Sequence, residues 1–250
     1  MILQGRSISK GTTEGEVVKV DKKVSFLGDV DPEEGKVFDE ISIKDSIFVF
    51  PEGRGSTVGS YVLYQLKMNG FAPKGIINKK TETIVATGAI ISHIPLVDRI
   101  QIDLLKSGDD VRVNGDNGTV EIKNIDCQNV VTAFLRRNGK ILLLKRSEEV
   151  GSFRGRWSGV SGYLEREDPI EQAEIEIEEE TETDVTLVKE GAPILARGEG
   201  KIWNIHPFLF DSKGEIKLDW ENVEYRWIKP VRIKNMKTVP KLWEAYESVR

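Results

Sequence analysis

The sequence predicts a two-domain α/β protein, with a β-rich domain over residues 1–125 and a mixed sheet between helices over residues 126–250. The length of 250 residues suits one large domain or two small ones. The first half consists mainly of short apolar runs separated by turn residues, which is typical of a β-rich domain. The second half alternates strands, a helix, further strands and a final helix, a pattern that favours a sheet packed between helices. The two patterns meet near residues 123–129.

The composition indicates a globular protein and excludes some functions. Hydrophobic residues make up 39% of the chain and charged residues 31%. The net charge of -5 argues against a protein that grips nucleic acid through its phosphates. No apolar run approaches the roughly 18 to 20 residues of a membrane-spanning helix, and the first residues lack the apolar core of a signal peptide. We therefore expect a cytoplasmic protein that binds neither nucleic acid nor a membrane.

Cysteine and histidine are scarce. The single cysteine, Cys127, excludes a disulfide within the chain and an iron–sulfur cluster held by this chain alone. We interpret the only two histidines, His93 and His206, as structural residues. Carboxylates are therefore the residues to examine as metal ligands.

The first domain begins with predicted strands and contains one predicted helix. The strand-like runs are EVVKV, SIFVF, KGIINK and TETIVATGAIIS, and the segment VRVNGDNGTVEI predicts a closing hairpin because a glycine-rich turn joins two β-rich runs. Residues 56–68 have helical spacing of their apolar side chains, and Gly70 suits the end of that helix.

A glycine-containing loop, PEGRGS, joins the strand SIFVF to this helix. Gly53 and Gly55 allow the backbone to approach a ligand closely, and Ser56 or Thr57 is expected to cap the helix. Free N–H groups at a helix start favour an anion, so the loop predicts a phosphate or carboxylate site. An ordinary structural turn is the alternative. No Gly-Lys-Ser/Thr follows, so the loop is not a P-loop.

The second domain opens with a predicted hairpin around residues 137–139. Asp168 followed by Pro169 predicts the start of a helix that runs to about Thr181. The runs PILARG, KIWNIHPFLF and EIKL predict further strands, and residues 239–249 predict a C-terminal helix.

The helix after Asp168 carries three carboxylates on one face. Glu176, Glu179 and Glu180 lie at i, i+3 and i+4, where like charges destabilise a helix unless a cation bridges them. Oxygen ligands of this kind suit Mg²⁺ or Mn²⁺, bound together with the phosphates of a substrate. The alternative is an acidic face that is simply solvated.

The second half resembles the Nudix hydrolase family. The resemblance covers WSGVSG ending at Gly162, then Glu167, the run Glu176-Ile-Glu-Glu-Glu, and the later DWENVEYRWI. It implies an α/β/α sandwich that hydrolyses a diphosphate bond with Mg²⁺ or Mn²⁺. It also implies that Glu179 and Glu180 bind the metal, that the Gly162 carbonyl adds a ligand, and that Glu176 is a ligand or the general base.

Three positions differ from the family pattern. The loop between Gly162 and Glu167 is one residue shorter, Ile175 stands where the family has arginine, and Glu182 stands where it has the closing glycine. In the family the arginine orients the acidic residues through an ion pair.

Four further side chains are candidates for the second site. Arg154 and Arg156 are expected to hold the phosphates of the substrate, or else to be ordinary surface residues. Glu221 and Glu224 are secondary acids, since the family often takes a further carboxylate from outside the helix.

The first half resembles the small, swivelling subunit of the aconitase X family, found in archaea as the small subunit of phosphomevalonate dehydratase. The matching stretches include GRSISKGTTEGEVV, FPEGRGSTVGS and APKGIINKKTETIVATGAI. The resemblance implies a swivelling β/β/α domain in which Ser56 is the general base, with Arg54, Gly55 and Thr57 around the substrate. It also implies a separate large subunit that forms a heterodimer with this chain and supplies an iron–sulfur cluster. The implied reaction removes water from mevalonate 5-phosphate in archaeal isoprenoid biosynthesis.

The sequence thus predicts a fusion of a dehydratase small subunit with a diphosphate hydrolase. An isoprenoid phosphate or diphosphate and a nucleotide are both open as substrates of the second domain. One alternative is a stand-alone Nudix enzyme whose first domain only binds a ligand or partner. Another is a non-enzymatic phosphate sensor, in which both sites bind without turnover.

Overall fold

The computed structural model describes all 250 residues and contains two compact units, Met1–Ile125 and Asp126–Arg250. No helix in it combines the length and the apolar character needed to cross a membrane. The strands of the first unit are β1 (Ile2–Gln4), β2 (Arg6–Ser9), β3 (Thr12–Lys19), β4 (Val30–Asp31), β5 (Lys36–Val37), β6 (Ile41–Ser42), β7 (Ile47–Phe50), β8 (Gly75–Asn78), β9 (Leu96–Asp98), β10 (Asp110–Asn114) and β11 (Thr119–Ile122). Its helices are α1 (Phe26–Asp29), α2 (Gly59–Met68) and α3 (Thr83–Ile91), with a 3-10 turn at Ile102–Leu104.

Most strands of the first unit form one eight-stranded sheet. The strand order is β1-β11-β10-β3-β7-β8-β9-β2, and β4, β5 and β6 form a separate small sheet. The neighbours from β3 through β9 are parallel, and the outer pairs are antiparallel. Strands β7 and β8 are buried at every position, as is typical of central parallel strands covered on both faces.

Residues 83–91 form the helix α3, so the prediction of a strand there is wrong. The β-branched residues of this segment favour a strand locally. Packing overrides that preference, because Val85 and Ala89 are buried in the core of the first unit. The preceding Glu82 side chain also caps the helix, since it accepts hydrogen bonds from the backbone N–H groups of Ile84 and Val85. These bonds satisfy two donors that a helix start otherwise leaves free.

The second unit has seven strands and two α-helices. The strands are β12 (Cys127–Arg137), β13 (Lys140–Arg146), β14 (Trp157–Ser158), β15 (Val185–Glu190), β16 (Ile194–Gly198), β17 (Lys201–Ser212) and β18 (Asn222–Ile228). The helices are α4 (Pro169–Thr181) and α5 (Leu242–Val249), with a 3-10 helix at Pro230–Asn235. The sheet runs β14-β13-β12-β17-β15, with β16 paired to β17 and β18 to β13. Only β12 and β17 pair in parallel, so the sheet is mixed.

The two helices cover opposite faces of this sheet. Successive side chains of a strand point to opposite faces, and β12 and β13 are buried on both. One face packs with α5 through residues such as Phe134 and Leu143. The other packs with α4, where Ala133 and Leu144 meet the apolar stripe of that helix. The predicted sheet between helices is confirmed.

The start and end of α4 agree with the sequence, since Asp168 caps it by accepting a bond from Ile170 N at 2.8 Å. Two other predictions need correction. Residues 215–218 form no strand, because Lys217 N bonds the Thr181 carbonyl at the end of α4 instead of joining the sheet. The C-terminal helix begins at Leu242, because Val239 N bonds the carbonyl of Trp157 in β14.

Candidate active sites

The glycine loop of the first unit, residues 51–58, follows β7 and precedes α2. A Cβ atom added to the buried Gly53 would overlap the carboxylate of Glu82, the residue that caps α3. Gly55 has φ +109, and a Cβ there would lie 2.7 Å from Ser25 Oγ. The two glycines therefore allow close packing of the loop against its neighbours.

Ser56 lies exposed in this loop. Its Oγ accepts a long hydrogen bond of 3.4 Å from Val58 N, within the loop itself. The guanidinium of Arg54 points to Asp29, with Nη2 at 3.1 Å from Oδ2, so its charge is already paired. Thr57 is exposed beside Ser56. The loop thus presents hydroxyl groups to solvent from a backbone that is anchored on both sides.

The start of α2 differs from the prediction. The helix begins at Gly59, its N-cap is Val58, and no side chain caps it. The reason is a tight turn, in which Gly59 N bonds the Ser56 carbonyl at 2.9 Å and Ser60 N bonds the Thr57 carbonyl at 3.2 Å. These first N–H groups are therefore used by the turn, and the hydroxyl groups of Ser56 and Thr57 are not needed as caps.

A cavity of about 180 Å³ lies in the second unit, beside the acidic helix α4. Most of its wall is apolar or aromatic, and the ring centroids of Phe153 and Trp203 lie 5.1 Å apart within it. Trp220, which is 63% exposed, also lines it. The acidic and basic side chains in its wall are Arg146, Glu176 and Glu221.

Glu180 is the most deeply buried carboxylate of α4, at 2% exposure. Its Oε1 accepts a bond from Ser161 N at 2.8 Å, and its Oε2 accepts one from Asn222 Nδ2 at 2.6 Å. Burial raises the pKa of Glu180 to about 8, against the opposing effects of these two hydrogen bonds and of Arg146. The Asn222 Oδ1 atom is buried and has no hydrogen-bond partner. This end of the site therefore holds polar groups that are incompletely satisfied.

Glu176 packs directly against Gly162. A Cβ atom at position 162 would overlap the carboxyl group of Glu176, so only glycine leaves it room. The Gly162 carbonyl accepts a bond from Val131 N at 3.0 Å, which fixes it to strand β12. Burial raises the pKa of Glu176, a bond from Gln172 Nε2 lowers it, and the charges of neighbouring carboxylates raise it further.

Four carboxylates lie close enough to repel one another. They are Glu176, Glu179, Glu180 and Glu221. Burial raises the pKa of Glu221 as well, with Arg146 opposing and Glu179 adding to the rise. Because a divalent cation would relieve this repulsion, the chemistry of the donor set fits Mg²⁺ or Mn²⁺. No three His, Cys, Asp or Glu side chains converge closely enough in this structure to hold a metal ion.

The structure separates the two predicted phosphate-binding arginines from the cavity. Arg154 Nε donates to the Val150 carbonyl at 2.9 Å, and Arg156 Nη1 donates to the Thr238 carbonyl at 3.0 Å. Neither lines the cavity. Arg146, at the end of β13, lines the cavity instead, and its charge opposes the rise in the pKa values of Glu180 and Glu221.

Glu182, at the position of the family's closing glycine, ends α4 in a left-handed conformation with φ 46. Such a conformation favours glycine. Its carboxylate forms an ion pair of 2.6 Å with Lys217, in which both side chains are more than half exposed.

Sequence reasoning missed three residues of this site. Arg146 closes an apolar strand just before a glycine-containing loop, which is a usable signal for a ligand-binding position. Gln172 stands four residues before Glu176 on a helix, so an i, i+4 pair was predictable. Asn222 carried no signal, since its contact with Glu180 spans 42 positions of the chain.

Each half of the chain matches a known protein family. Residues 2–122 match the family model of the aconitase X swivel domain, and residues 127–249 match that of the NUDIX domain. The phosphomevalonate dehydratase small subunit of Methanosarcina acetivorans is 54% identical over 129 residues, which are 48% of this chain and 90% of that protein. The protein of the same name from Thermococcus kodakarensis is 56% identical over 128 residues, or 49% of this chain and 96% of that one.

Solved structures also resemble each half. The holo-form of aconitase X from Thermococcus kodakaraensis is 55% identical, with a TM-score of 0.48, and the match covers 49% of this chain and 98% of that one. The MutT protein of Methanosarcina mazei is 25% identical, with a TM-score of 0.44, and the match covers 50% and 93%. The chain belongs to the aconitase X swivel domain family through its first half, as the phosphomevalonate dehydratase small subunits show, and its second half matches the NUDIX domain family.

Proposed function

We propose that the chain joins two enzymatic functions, a dehydratase small subunit over residues 1–125 and a metal-dependent diphosphate hydrolase over residues 126–250. The observation that carries the first function is the identity above 50% to the two phosphomevalonate dehydratase small subunits named above, of which at least nine tenths is covered. The observation that carries the second is a group of mutually repelling carboxylates beside an apolar cavity.

In the dehydratase reaction, mevalonate 5-phosphate loses water to give trans-anhydromevalonate 5-phosphate. Ser56 would accept the proton, and its exposed position in an anchored loop makes it accessible to a substrate held by a partner. The Val58 N–H points at Ser56 Oγ and would stabilise its alkoxide. Arg54, Gly55 and Thr57 would line the substrate on this side.

The iron–sulfur cluster of this reaction would belong to a separate large subunit. The only cysteine, Cys127, is exposed and lies in the second unit, so the first unit offers no thiolate ligand. The functional dehydratase would therefore be a heterodimer of this chain with a large subunit, in an archaeal, cytoplasmic setting.

In the hydrolase, water would attack a phosphorus atom of a diphosphate and break the bond to the bridging oxygen. Glu176, Glu179 and Glu180 would hold Mg²⁺ or Mn²⁺ with the Gly162 carbonyl, whose second lone pair is not used by Val131. When bound, the metal would neutralise phosphate charge and acidify the attacking water. Glu176 or Glu221 would accept the proton.

The phosphates of the substrate would meet Arg146 in the cavity wall, with Arg154 and Arg156 reachable only by parts of the substrate outside it. The apolar remainder of the cavity would take the other moiety, for which an isoprenoid phosphate or diphosphate and a nucleotide are the two classes to compare. A pathway shared with the dehydratase would make an isoprenoid compound the substrate, and a nucleotide is the equal alternative.

The first function is tested by co-expressing the chain with the large dehydratase subunit of the same genome. Anaerobically purified protein is assayed for water loss from mevalonate 5-phosphate. We expect turnover that needs both chains and falls at least about 100-fold in Ser56→Ala, since a general base contributes roughly that much. Ser42→Ala, at another exposed serine of the first unit, serves as the matched control. An intact cluster in the large subunit without complex formation or turnover would leave the first domain as a binding module.

The second function is tested by a screen for Mg²⁺-dependent phosphate or diphosphate release from isoprenoid diphosphates and nucleotides. We expect Glu179→Gln and Glu180→Gln to abolish turnover and a metal chelator to do the same. Saturable binding of these compounds without any product would instead indicate a phosphate sensor.

A further inference from the structure

Gln172 connects the acidic helix to the loop in front of it. This side chain on the first turns of α4 is buried, at 5% exposure. Its Oε1 accepts bonds from the backbone N–H groups of Glu165 and Arg166, both at 3.2 Å. Its Nε2 donates to Glu176 Oε1 at 2.8 Å. Both ends of the amide are thus used, and its orientation is fixed.

The donated bond meets a carboxylate that has little freedom on its other side. Glu176 lies against Gly162 so closely that a single methyl group there would overlap it. Glycine therefore confines the carboxyl group from one side, and the Gln172 amide holds one of its oxygens from another. The second oxygen, Oε2, has no such bond from the amide and can face a ligand.

Ile175, the residue next to Glu176 in the sequence, cannot hold the Glu176 carboxyl group in place. Ile175, which precedes Glu176, is aliphatic and half-buried, so it offers neither a charge nor a hydrogen bond to any carboxylate. The positioning of Glu176 therefore depends on the residue four places earlier, which lies on the same face of the helix.

We propose that Gln172 is the positioning residue of the second site and holds Glu176 against Gly162 in the orientation that binds the divalent cation. This inference rests on the proposed metal-dependent hydrolase. Gln172 itself touches neither metal nor substrate and acts through Glu176.

The test measures Mn²⁺ binding to the full chain by the electron paramagnetic resonance signal of free Mn²⁺, so that no substrate is needed. Gln172→Met keeps the size of the side chain and removes the N–H donor. We expect its Kd for Mn²⁺ to rise about tenfold or more, as happens when a partner of a metal ligand is lost. Gln65→Met, the same substitution on the exposed face of α2, should leave the Kd unchanged. Gln172→Asn is too short to make both contacts and should also weaken binding, and it serves if the methionine variant does not fold.

Repeating the Gln172→Met substitution in a Glu176→Asp variant distinguishes positioning of Glu176 from a general structural role of Gln172. Glu176→Asp keeps the charge but is too short to reach the Gln172 amide. In that background we expect Gln172→Met to change the Kd less than about twofold, because interacting residues are not additive. An equal loss in both backgrounds, or no loss in the wild-type background, would overturn the inference while leaving the hydrolase intact. A wild-type chain that binds no Mn²⁺ would overturn both.

Discussion

Removing the charge of Glu180 should stabilise the metal-free second unit. The carboxyl group is buried, and burial raises its pKa to about 8, whereas the unfolded chain has the ordinary value of 4.5. Between these two values the unfolded state releases the proton and the folded state retains it. The free energy of unfolding of the wild type therefore falls as pH rises through this window and stops falling above about pH 8.

The expected magnitude follows from the width of the window. Each pH unit is equivalent to about 1.4 kcal/mol, so the Glu180 contribution falls by up to about 4 kcal/mol between pH 5 and pH 8. In Glu180→Gln this contribution is absent. The amide oxygen of the new glutamine can keep the bond from Ser161 N. A flip of the Asn222 amide would let Oδ1, which has no partner in the wild type, accept a bond from the new amide N–H.

The assay is urea unfolding in the presence of a chelator, followed by tryptophan fluorescence. The signal reports only on the second unit, because all five tryptophans lie there: Trp157, Trp203, Trp220, Trp227 and Trp243. Glu176 and Glu221, whose pKa values are also raised, are present in both proteins, so the difference reports mainly on Glu180 together with its repulsion by Glu221. We expect the two unfolding free energies to diverge from pH 5 to pH 8 in favour of the variant. Parallel curves would refute the reasoning.

Three further substitutions have defined outcomes. Glu182→Gly should raise the free energy of unfolding by about 1 kcal/mol, since glycine adopts the left-handed conformation without strain. A lower midpoint of thermal unfolding, followed by tryptophan fluorescence, would contradict this prediction. Gly162→Ala should weaken Mn²⁺ binding about tenfold or more because the added methyl group displaces Glu176. Gly28→Ala in the first unit, whose Cβ would make only ordinary contacts with Ser25, should bind Mn²⁺ as the wild type does. Asp98→Asn should destabilise the first unit by about 2 kcal/mol, because the buried carboxylate loses its charge-assisted pair of bonds with the partly exposed Arg6; amide hydrogen exchange should quicken in the first unit alone, and unchanged exchange would count against it.

The sequence predicted the elements whose signals are local. The adjacent residues Asp168 and Pro169 predict the start of α4, and the Asp168 side chain caps that helix in the structure. The helix α3 could not be predicted in this way, because its β-branched residues favour a strand locally and the opposing effect comes from the packing of Val85 and Ala89 in the core of the first unit.

The same distinction applies to the acidic site. The face shared by the carboxylates of α4 follows from helical spacing alone. The burial of Glu180 does not, because it depends on Asn222, which the pairing of β18 with β13 brings to the helix. Arg146 reaches the cavity through the same strand pairing, so its role is visible only once the sheet is formed.

The attachment of Gly162 to β12 explains how the second unit tolerates a shortened loop. The Val131 N–H holds the Gly162 carbonyl, and Val160 and Ala133 bond each other in both directions just before it. The helix α4 is held separately, because Ala173 and Ile177 pack in the core of the second unit. Gly162 and the helix are therefore each fixed by contacts outside the loop between them. A change of loop length can leave both in place, but it would move the backbone N–H groups of Glu165 and Arg166 that bond Gln172.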